Sequence, residues 1–283
     1  MEILSVQGLS KTYDKFRMKD VSFTLDEGYI MGFIGRNGAG KTTALKTMLG
    51  LVHPDGGRVK VFDQEYRQNE IALKQQIGFM SGGVDFYPKQ KLSVITRVIK
   101  RFYTGWDDSA YNGYLERFGL DESKKVEELS QGMKVKYGLA LALSHKAKLL
   151  ILDEPTSGLD PVSRDDLLEL FQELIEDGKK SILFSTQITS DLDKCADYIT
   201  YIRDGEILAS TSKDDFIGAY KIVGGRAVQL TPELSARMVG CKKNAYGFSG
   251  LIKTQDLPAA DGLEVSTPDI ESIMIYFEKG CAQ

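Results

Sequence analysis

The sequence predicts an α/β protein built on a mostly parallel sheet with a phosphate-binding loop, and three observations predict it. Residues 29–34 form an apolar run into Gly35-Arg36-Asn37-Gly38-Ala39-Gly40-Lys41-Thr42-Thr43, which fits G-x4-G-K-S/T between a buried strand and a helix. A second apolar run, Leu149-Leu150-Ile151-Leu152, ends in Asp153-Glu154. It reads as a buried parallel strand that delivers two carboxylates at its carboxyl end, where ligands sit in open α/β sheets. Beyond it, helical and strand patterns alternate at 164–176, 181–186, 190–196 and 198–202, as in parallel strands joined by right-handed crossovers.

The glycines at 35, 38 and 40 let several backbone N–H groups turn toward one anion, and a helix starting near Lys41 adds its positive end. In such a cradle Lys41 sits against the β- and γ-phosphates and the Thr42 hydroxyl ligates Mg²⁺. Asp153 can hold the metal shell, and Glu154 can orient or deprotonate a water. The plainer readings are a glycine turn beside a chance Lys-Thr and a solvated acidic turn. The two stretches occurring together in one chain favour the phosphate site.

With 283 residues, 42% hydrophobic and 27% charged, the chain has the composition of a soluble globular protein and the length for one large domain or a domain with an appendage. A formal net charge of -4 argues against broad nucleic-acid binding, which needs a basic surface. No apolar run reaches the roughly 18 residues that span a bilayer. Met1-Glu2-Ile3-Leu4-Ser5 lacks the features of a secretory signal. The expectation is a cytosolic chain that meets a membrane through a partner. Cys195, Cys241 and Cys281 are too few and too far apart for a disulfide framework or zinc cluster, and His53 and His145 are too few for a histidine metal site.

Taken in order, residues 3–6 and 21–25 read as antiparallel strands, with Asp26-Glu27-Gly28 as a turn. Between them Ser10-Lys11-Thr12-Tyr13-Asp14-Lys15 reads as a loop, in which Tyr13 is either a packed surface ring or, beside a nucleotide, a face for adenine. Residues 58–62 and 77–80 read as strands, the latter running into Ser81-Gly82-Gly83. From 92 to 143 the period is helical, with Val94, Ile95, Val98, Ile99 and Phe102 on one face, which implies an α-helical subdomain at about 89–143. It closes on Leu129-Ser130-Gln131-Gly132-Met133, which taken alone is also what an ordinary Ser N-cap looks like. Beyond 219 the signals weaken to strands at 220–223, 226–230 and 262–265 and an amphipathic helix at 267–279. The expected division is 1–217 and a C-terminal accessory extension at 218–283.

With these pieces in this order and spacing, the chain resembles the ATP-binding subunit of an ABC transporter over roughly 1–217. The resemblance implies a P-loop NTPase of the ABC ATPase fold, with an antiparallel β subdomain, an inserted α-helical subdomain and a small C-terminal α/β extension. Residues Gly35 to Thr43 would bind ATP with Tyr13 against the adenine, Mg²⁺ would be the second cofactor, and Ser157-Gly158-Leu159-Asp160 looks like the family's D-loop. A second ATPase subunit, identical or paralogous, would present Ser130, Gln131 and Gly132 to the nucleotide in trans. The separate ATPase chain is similar to exporters of antimicrobial or amphipathic peptides. It would power a multispan permease from the inner face of the cell membrane, with no nucleic-acid partner.

Three features depart from the family. Gln187 stands where a switch histidine is usual; glutamine donates a hydrogen bond but carries no charge at neutral pH. The expectation is slow hydrolysis and a longer-lived closed state. Gly82-Gly83 lie about where the family has its Q-loop glutamine, with Gln90 several residues on. In the signature, Gln131 and Met133 replace the usual glycine and glutamine. Two other functions stand beside the leading one. One is a soluble ABC ATPase of ribosomes or DNA, whose relatives carry fused ATPase domains or a long coiled-coil insertion not seen here. The other is a nucleotide-gated regulator with weak hydrolysis, which Gln187 favours.

Overall fold

The computed structural model describes residues 1–82, 87–258 and 262–280. Gly83 and Cys281 lie outside them. The chain divides into two compact units, Met1–Ala209 and a second beginning at Ser210.

In the first unit, β1 (Glu2–Tyr13) and β2 (Phe16–Asp26) form a hairpin that β4 (Gly56–Val61) and β5 (Gln64–Glu65) extend, in the antiparallel order β2-β1-β4-β5. Met18, Val21, Phe23 and Leu25 of β2 are buried between exposed neighbours, the alternation of a sheet with one face on a core. The hairpin is longer than its apolar residues indicate. Lys11, Thr12 and Tyr13 pair with Met18, Arg17 and Phe16, so Tyr13 ends a strand instead of lying in a loop. Backbone pairing, which has no hydropathy signature, extends the ladder.

The second sheet has the order β10-β9-β3-β8-β7-β6. Its strands are β3 (Ile30–Ile34), β6 (Ile77–Ser81), β7 (Leu149–Asp153), β8 (Ser181–Thr186), β9 (Tyr198–Arg203) and β10 (Glu206–Ser212). β3, β7 and β8 are buried at every position, as strands covered on both faces must be. They run parallel and end level: Ile34 pairs with Thr186, Asp153 with Ser185, and Ser81 with Asp153. One core joins both sheets to α1 (Lys41–Met48) through Val6, Phe33, Leu45, Leu149 and Leu183.

α2 (Tyr66–Lys74) precedes β6. Then α3 (Leu92–Ile99), α4 (Asp108–Phe118) and α5 (Gln131–Leu143) enclose a separate core that includes Leu92, Ile95, Leu115, Val126 and Leu129. Within it Thr96 Oγ1 meets the Tyr111 and Tyr137 hydroxyls at 2.7 and 2.9 Å, so the buried oxygens are satisfied. α6 (Pro161–Ile175) starts on an Asp160 N-cap with proline at its first position, and α7 (Thr189–Cys195) follows β8.

The second unit holds α8 (Lys213–Gly218), β11 (Tyr220–Gly225), α9 (Pro232–Arg237), β12 (Met238–Asn244), β13 (Gly247–Lys253), β14 (Glu264–Ser266) and α10 (Ile270–Lys279). Its antiparallel sheet has the order β12-β13-β11-β14, over a core of Val223, Leu234, Met238, Phe248 and Ile252. Residues 226–230 are not the strand their pattern predicts. Gln229 Oε1 accepts from Arg226 N at 2.7 Å and closes a 3₁₀ turn at Ala227–Gln229. The last helix begins at Ile270, because Asp269 caps it by accepting from Ser272 N at 2.7 Å.

Candidate nucleotide site

Because β3, β7 and β8 end together, the residues just beyond them share one edge of the sheet. Gly35 leaves β3 so close to β9 that a Cβ on it would lie 2.3 Å from the Ile202 carbonyl oxygen. Gly40 has φ 110° and heads α1 with no side-chain cap, and a Cβ there would come within 2.7 Å of Phe16 Cζ. Only glycine fits this turn. It leaves the first N–H groups of α1 without a side-chain acceptor, the geometry of an anion site.

Lys41 is buried at the start of α1. Its Nζ donates to the Gly35 carbonyl at 2.7 Å and the Arg36 carbonyl at 3.3 Å, and lies 3.1 Å from Glu154 Oε1. Glu154 follows β7 in the left-handed region, φ 51°. Ser185 pins that strained turn, since Glu154 N donates to Ser185 Oγ at 2.9 Å and to its carbonyl at 3.2 Å. Glu154 Oε2 is buried and has no hydrogen-bond partner among the described residues.

Asp153, 5% exposed, gathers three hydroxyls. Thr42 Oγ1 donates at 2.9 and 3.1 Å, Ser81 Oγ at 3.2 Å and Ser185 Oγ at 2.7 Å. Thr42 and Ser81 are exposed at the rim, whereas Ser185 is wholly buried. Thr42, Ser81 and Asp153 offer oxygen alone, the donor set for Mg²⁺, which keeps waters and takes phosphate oxygens besides one or two carboxylates. Among the described residues no group of three or more His, Cys, Asp or Glu is placed to hold a metal. Here Mg²⁺ fits as the nucleotide's companion, and these residues would hold it.

Above the loop lies a cleft of about 490 Å³ bounded by Tyr13, Phe16, Arg36, Lys41, Thr43 and Glu154. The Tyr13 ring is half exposed, with Lys11 Nζ 5.7 Å from its centroid. Asn37, Gly38, Gly40 and Thr42 also line the cleft; Gly35 and Ala39 lie buried behind it. Gln187 is exposed directly after β8, between the ends of β3 and β7.

Ser130, Gln131, Gly132 and Asp160 do not line this cleft. Ser130 caps α5, accepting from Met133 N at 3.2 Å, and is exposed. A Cβ on Gly132 would lie 3.4 Å from Leu159 Cδ2, and one on Gly158 3.4 Å from Gln131 Cγ, so the two loops abut within the chain. Asp160 accepts from Val162 N and Ser163 N at 3.1 and 3.0 Å, and hydrogen bonds from Ser163 hold its carboxyl below the usual range. Sequence reading missed Phe16, Ser81 and Ser185. Phe16 was accessible as the partner of Tyr13 across a short hairpin; the serines join only through strand register.

A lysine-bearing anion cradle at the carboxyl edge of a parallel sheet, with a carboxylate one residue past the next strand but one, defines a P-loop nucleotide-binding hydrolase. Comparison with known proteins narrows the class. Residues 18–157 match the family described as ABC transporter. The chain is 31% identical over 219 residues to the ABC transporter ATP-binding protein YtrB of Bacillus subtilis, covering 77% of this chain and 75% of that one. It is 33% identical over 213 residues to the bacitracin transport ATP-binding protein BcrA of Bacillus licheniformis, covering 73% and 68%. Among solved structures, one titled as an ATP-binding subunit of an ABC transporter superposes with a TM-score of 0.68 at 29% identity, over 75% of this chain and 91% of that one. The chain belongs to the ABC transporter family as an ATP-binding subunit, and is an ATPase.

Proposed function

We propose that this chain binds Mg²⁺-ATP in the Lys41 cleft, closes on a second ATPase subunit, and uses hydrolysis to drive a separate permease that exports peptides, drugs or other amphipathic compounds. The observation that carries the reading is the Lys41–Glu154 pair at 3.1 Å beside an uncapped helix start. A triphosphate competes with Glu154 for Lys41, and its arrival frees the carboxylate to orient or deprotonate a water. Tyr13 would stack the adenine, Thr42, Asp153 and Ser81 would hold Mg²⁺, and Gln187 would donate to the γ-phosphate. When bound, Mg²⁺ neutralises charge on the β- and γ-phosphates.

The need for a second subunit is supported by Ser130, Gly132 and Asp160, which do not line their own cleft. An α5 N-terminus presented by a partner adds anion donors that exist only in the closed pair. A permease contact is supported by exposed apolar side chains on α2, α3 and the turn after it: Ile71, Val98 and Phe102 are 84, 52 and 70% exposed. Gln75 Nε2 donates to the Phe102 carbonyl at 2.8 Å and ties these elements together. Among the described residues no helix is long and apolar enough to cross a membrane, and the transport path is assigned to the partner. Export is supported by BcrA, named for bacitracin transport. We assign 1–217 to the ATPase domain and 218–283 to an accessory extension, on the inner face of the membrane. A nucleotide-gated regulator is the second reading, favoured by the uncharged Gln187.

The test is sedimentation of the Glu154→Gln variant, alone and with the co-purified permease, with and without Mg²⁺-ATP. Nucleotide-dependent association of ATPase subunits is expected. A sedimentation profile that ATP leaves unchanged in both preparations overturns the paired-subunit mechanism.

A further inference from the structure

Asp191 is a buried carboxylate that the mechanism above does not use. It lies on α7 with 1% of its side chain exposed. Its Oδ2 accepts from Thr156 Oγ1 at 2.6 Å and from Thr186 Oγ1 at 3.4 Å, while Oδ1 lies 3.3 Å from Arg164 Nε, an ion pair out of hydrogen-bond line. Each contact leads to a different part of the site. Thr156, itself buried, is two residues past Glu154 on the same strained turn. Thr186 immediately precedes Gln187, and its hydroxyl accepts from Ile188 N at 2.9 Å, shaping the loop that carries Gln187. Arg164 stands in the first turn of α6, and its N donates to the carbonyl of Asp160, the N-cap, at 3.0 Å.

An ionised carboxylate is costly to bury unless its partners are held around it. Burial pushes the Asp191 carboxyl up, against the hydrogen bond from Thr156 and the charge of Arg164. The turn at Thr156, the end of β8 at Thr186 and the start of α6 at Arg164 must therefore keep their places for this group to stay charged. None of its partners lines the nucleotide cleft. Whatever the carboxylate does for catalysis, it does by placing others.

Resting on the nucleotide reading above, we propose that Asp191 is a positioning residue for hydrolysis: it fixes Glu154 and Gln187 relative to one another and links both, through Arg164, to Asp160 on the face that meets the second subunit. Movement of α6 on subunit closure is then felt by both catalytic loops through one group. A displacement of about 1 Å of a catalytic group can cost on the order of 100-fold in rate without touching ground-state binding.

The test compares the full chain with Asp191→Asn, Thr156→Val and the double variant Arg164→Met/Asp191→Asn. ATP affinity is measured by calorimetry, turnover by phosphate release and stability by thermal melting. The single variants are expected to lose about 10- to 100-fold in kcat with ATP Kd within about twofold. The double variant, which removes both charges of the pair, is expected to regain melting temperature but not kcat. Unchanged kcat in both single variants overturns the proposal, as does recovery of kcat together with stability in the double variant, or a loss of ATP affinity equal to the loss of turnover. If the unsubstituted chain bound no ATP, the nucleotide reading itself would fail; the other three outcomes remove only the role of Asp191.

Discussion

Replacing Gln187 with histidine is predicted to speed ATP hydrolysis, and the size of the effect follows from where residue 187 sits. Thr186 pairs with Ile34 at the end of the P-loop strand, and Ser185 pairs with Asp153 at the end of the strand that delivers Glu154. The next residue therefore leaves the sheet between Lys41 and Glu154, where the γ-phosphate is expected. A neutral amide donor there contributes about 0.5–1.5 kcal/mol, and a charged imidazolium donor about 1.5–3 kcal/mol. If the difference of about 1–1.5 kcal/mol is expressed in the transition state, kcat rises about 5- to 13-fold. The assay is phosphate release at saturating Mg²⁺-ATP, with ATP affinity measured in parallel. The variant should also acquire a pH dependence in the imidazole range that the glutamine enzyme lacks. Unchanged turnover in a variant that still binds ATP would refute the link between Gln187 and slow hydrolysis.

Two further perturbations probe other parts of the structure. Ser81→Ala should weaken Mn²⁺ binding in the ATP complex by about 2- to 13-fold, the worth of one ordinary hydrogen bond, while leaving ATP binding in EDTA unchanged and with Ser81→Thr restoring the metal affinity; equal metal affinity in all three proteins removes Ser81 from the magnesium shell. His145 is 2% exposed, stacks on Tyr103 at 3.8 Å, and has Nδ1 3.3 Å from the Gln75 carbonyl oxygen, and burial pushes its pKa down. The unfolded chain, with a histidine pKa of about 6.5, then binds more protons than the folded one below that pH, so stability is complete near neutrality and falls as the pH drops. The urea midpoint should decline below about pH 6.5 and decline less steeply in His145→Gln; parallel curves would contradict this.

What could be read from residues alone, and what could not, divides along physical lines. β3 and β7 were legible because strands buried on both faces are apolar runs, and α6 was legible from 164 onward, whereas the Asp160 N-cap and Pro161 that start it three residues earlier were not read as a helix start. β12 and β13 were not. Gly240, Gly247 and Gly250 interrupt their pattern, and a Cβ on Gly250 would lie 2.4 Å from Met238 Sδ, so the glycines reflect close packing that alternation does not reveal. Residues 226–230 carried a strand-like pattern that a single side-chain hydrogen bond turned into a 3₁₀ turn. Lys41, Thr42, Asp153 and Glu154 belong to local motifs, and the fold brings them together. Ser81 and Ser185 reach Asp153 only because three parallel strands end level, which no spacing within one stretch encodes. Asp191 belongs to no motif in the sequence, and only the tertiary fold buries it against Thr156, Thr186 and Arg164. The left-handed backbone of Glu154 was equally hidden, since glutamate seldom adopts it.

A triphosphate held at Lys41 is the premise of the whole mechanism, and calorimetric titration of ATP into the unsubstituted chain and Lys41→Ala, with Mg²⁺ present, tests this most directly. Removing a buried, charge-assisted donor of about 1.5–3 kcal/mol predicts an ATP Kd about 13- to 160-fold weaker in the alanine variant. Equal affinity in the two proteins, or no binding by the unsubstituted chain, would contradict it.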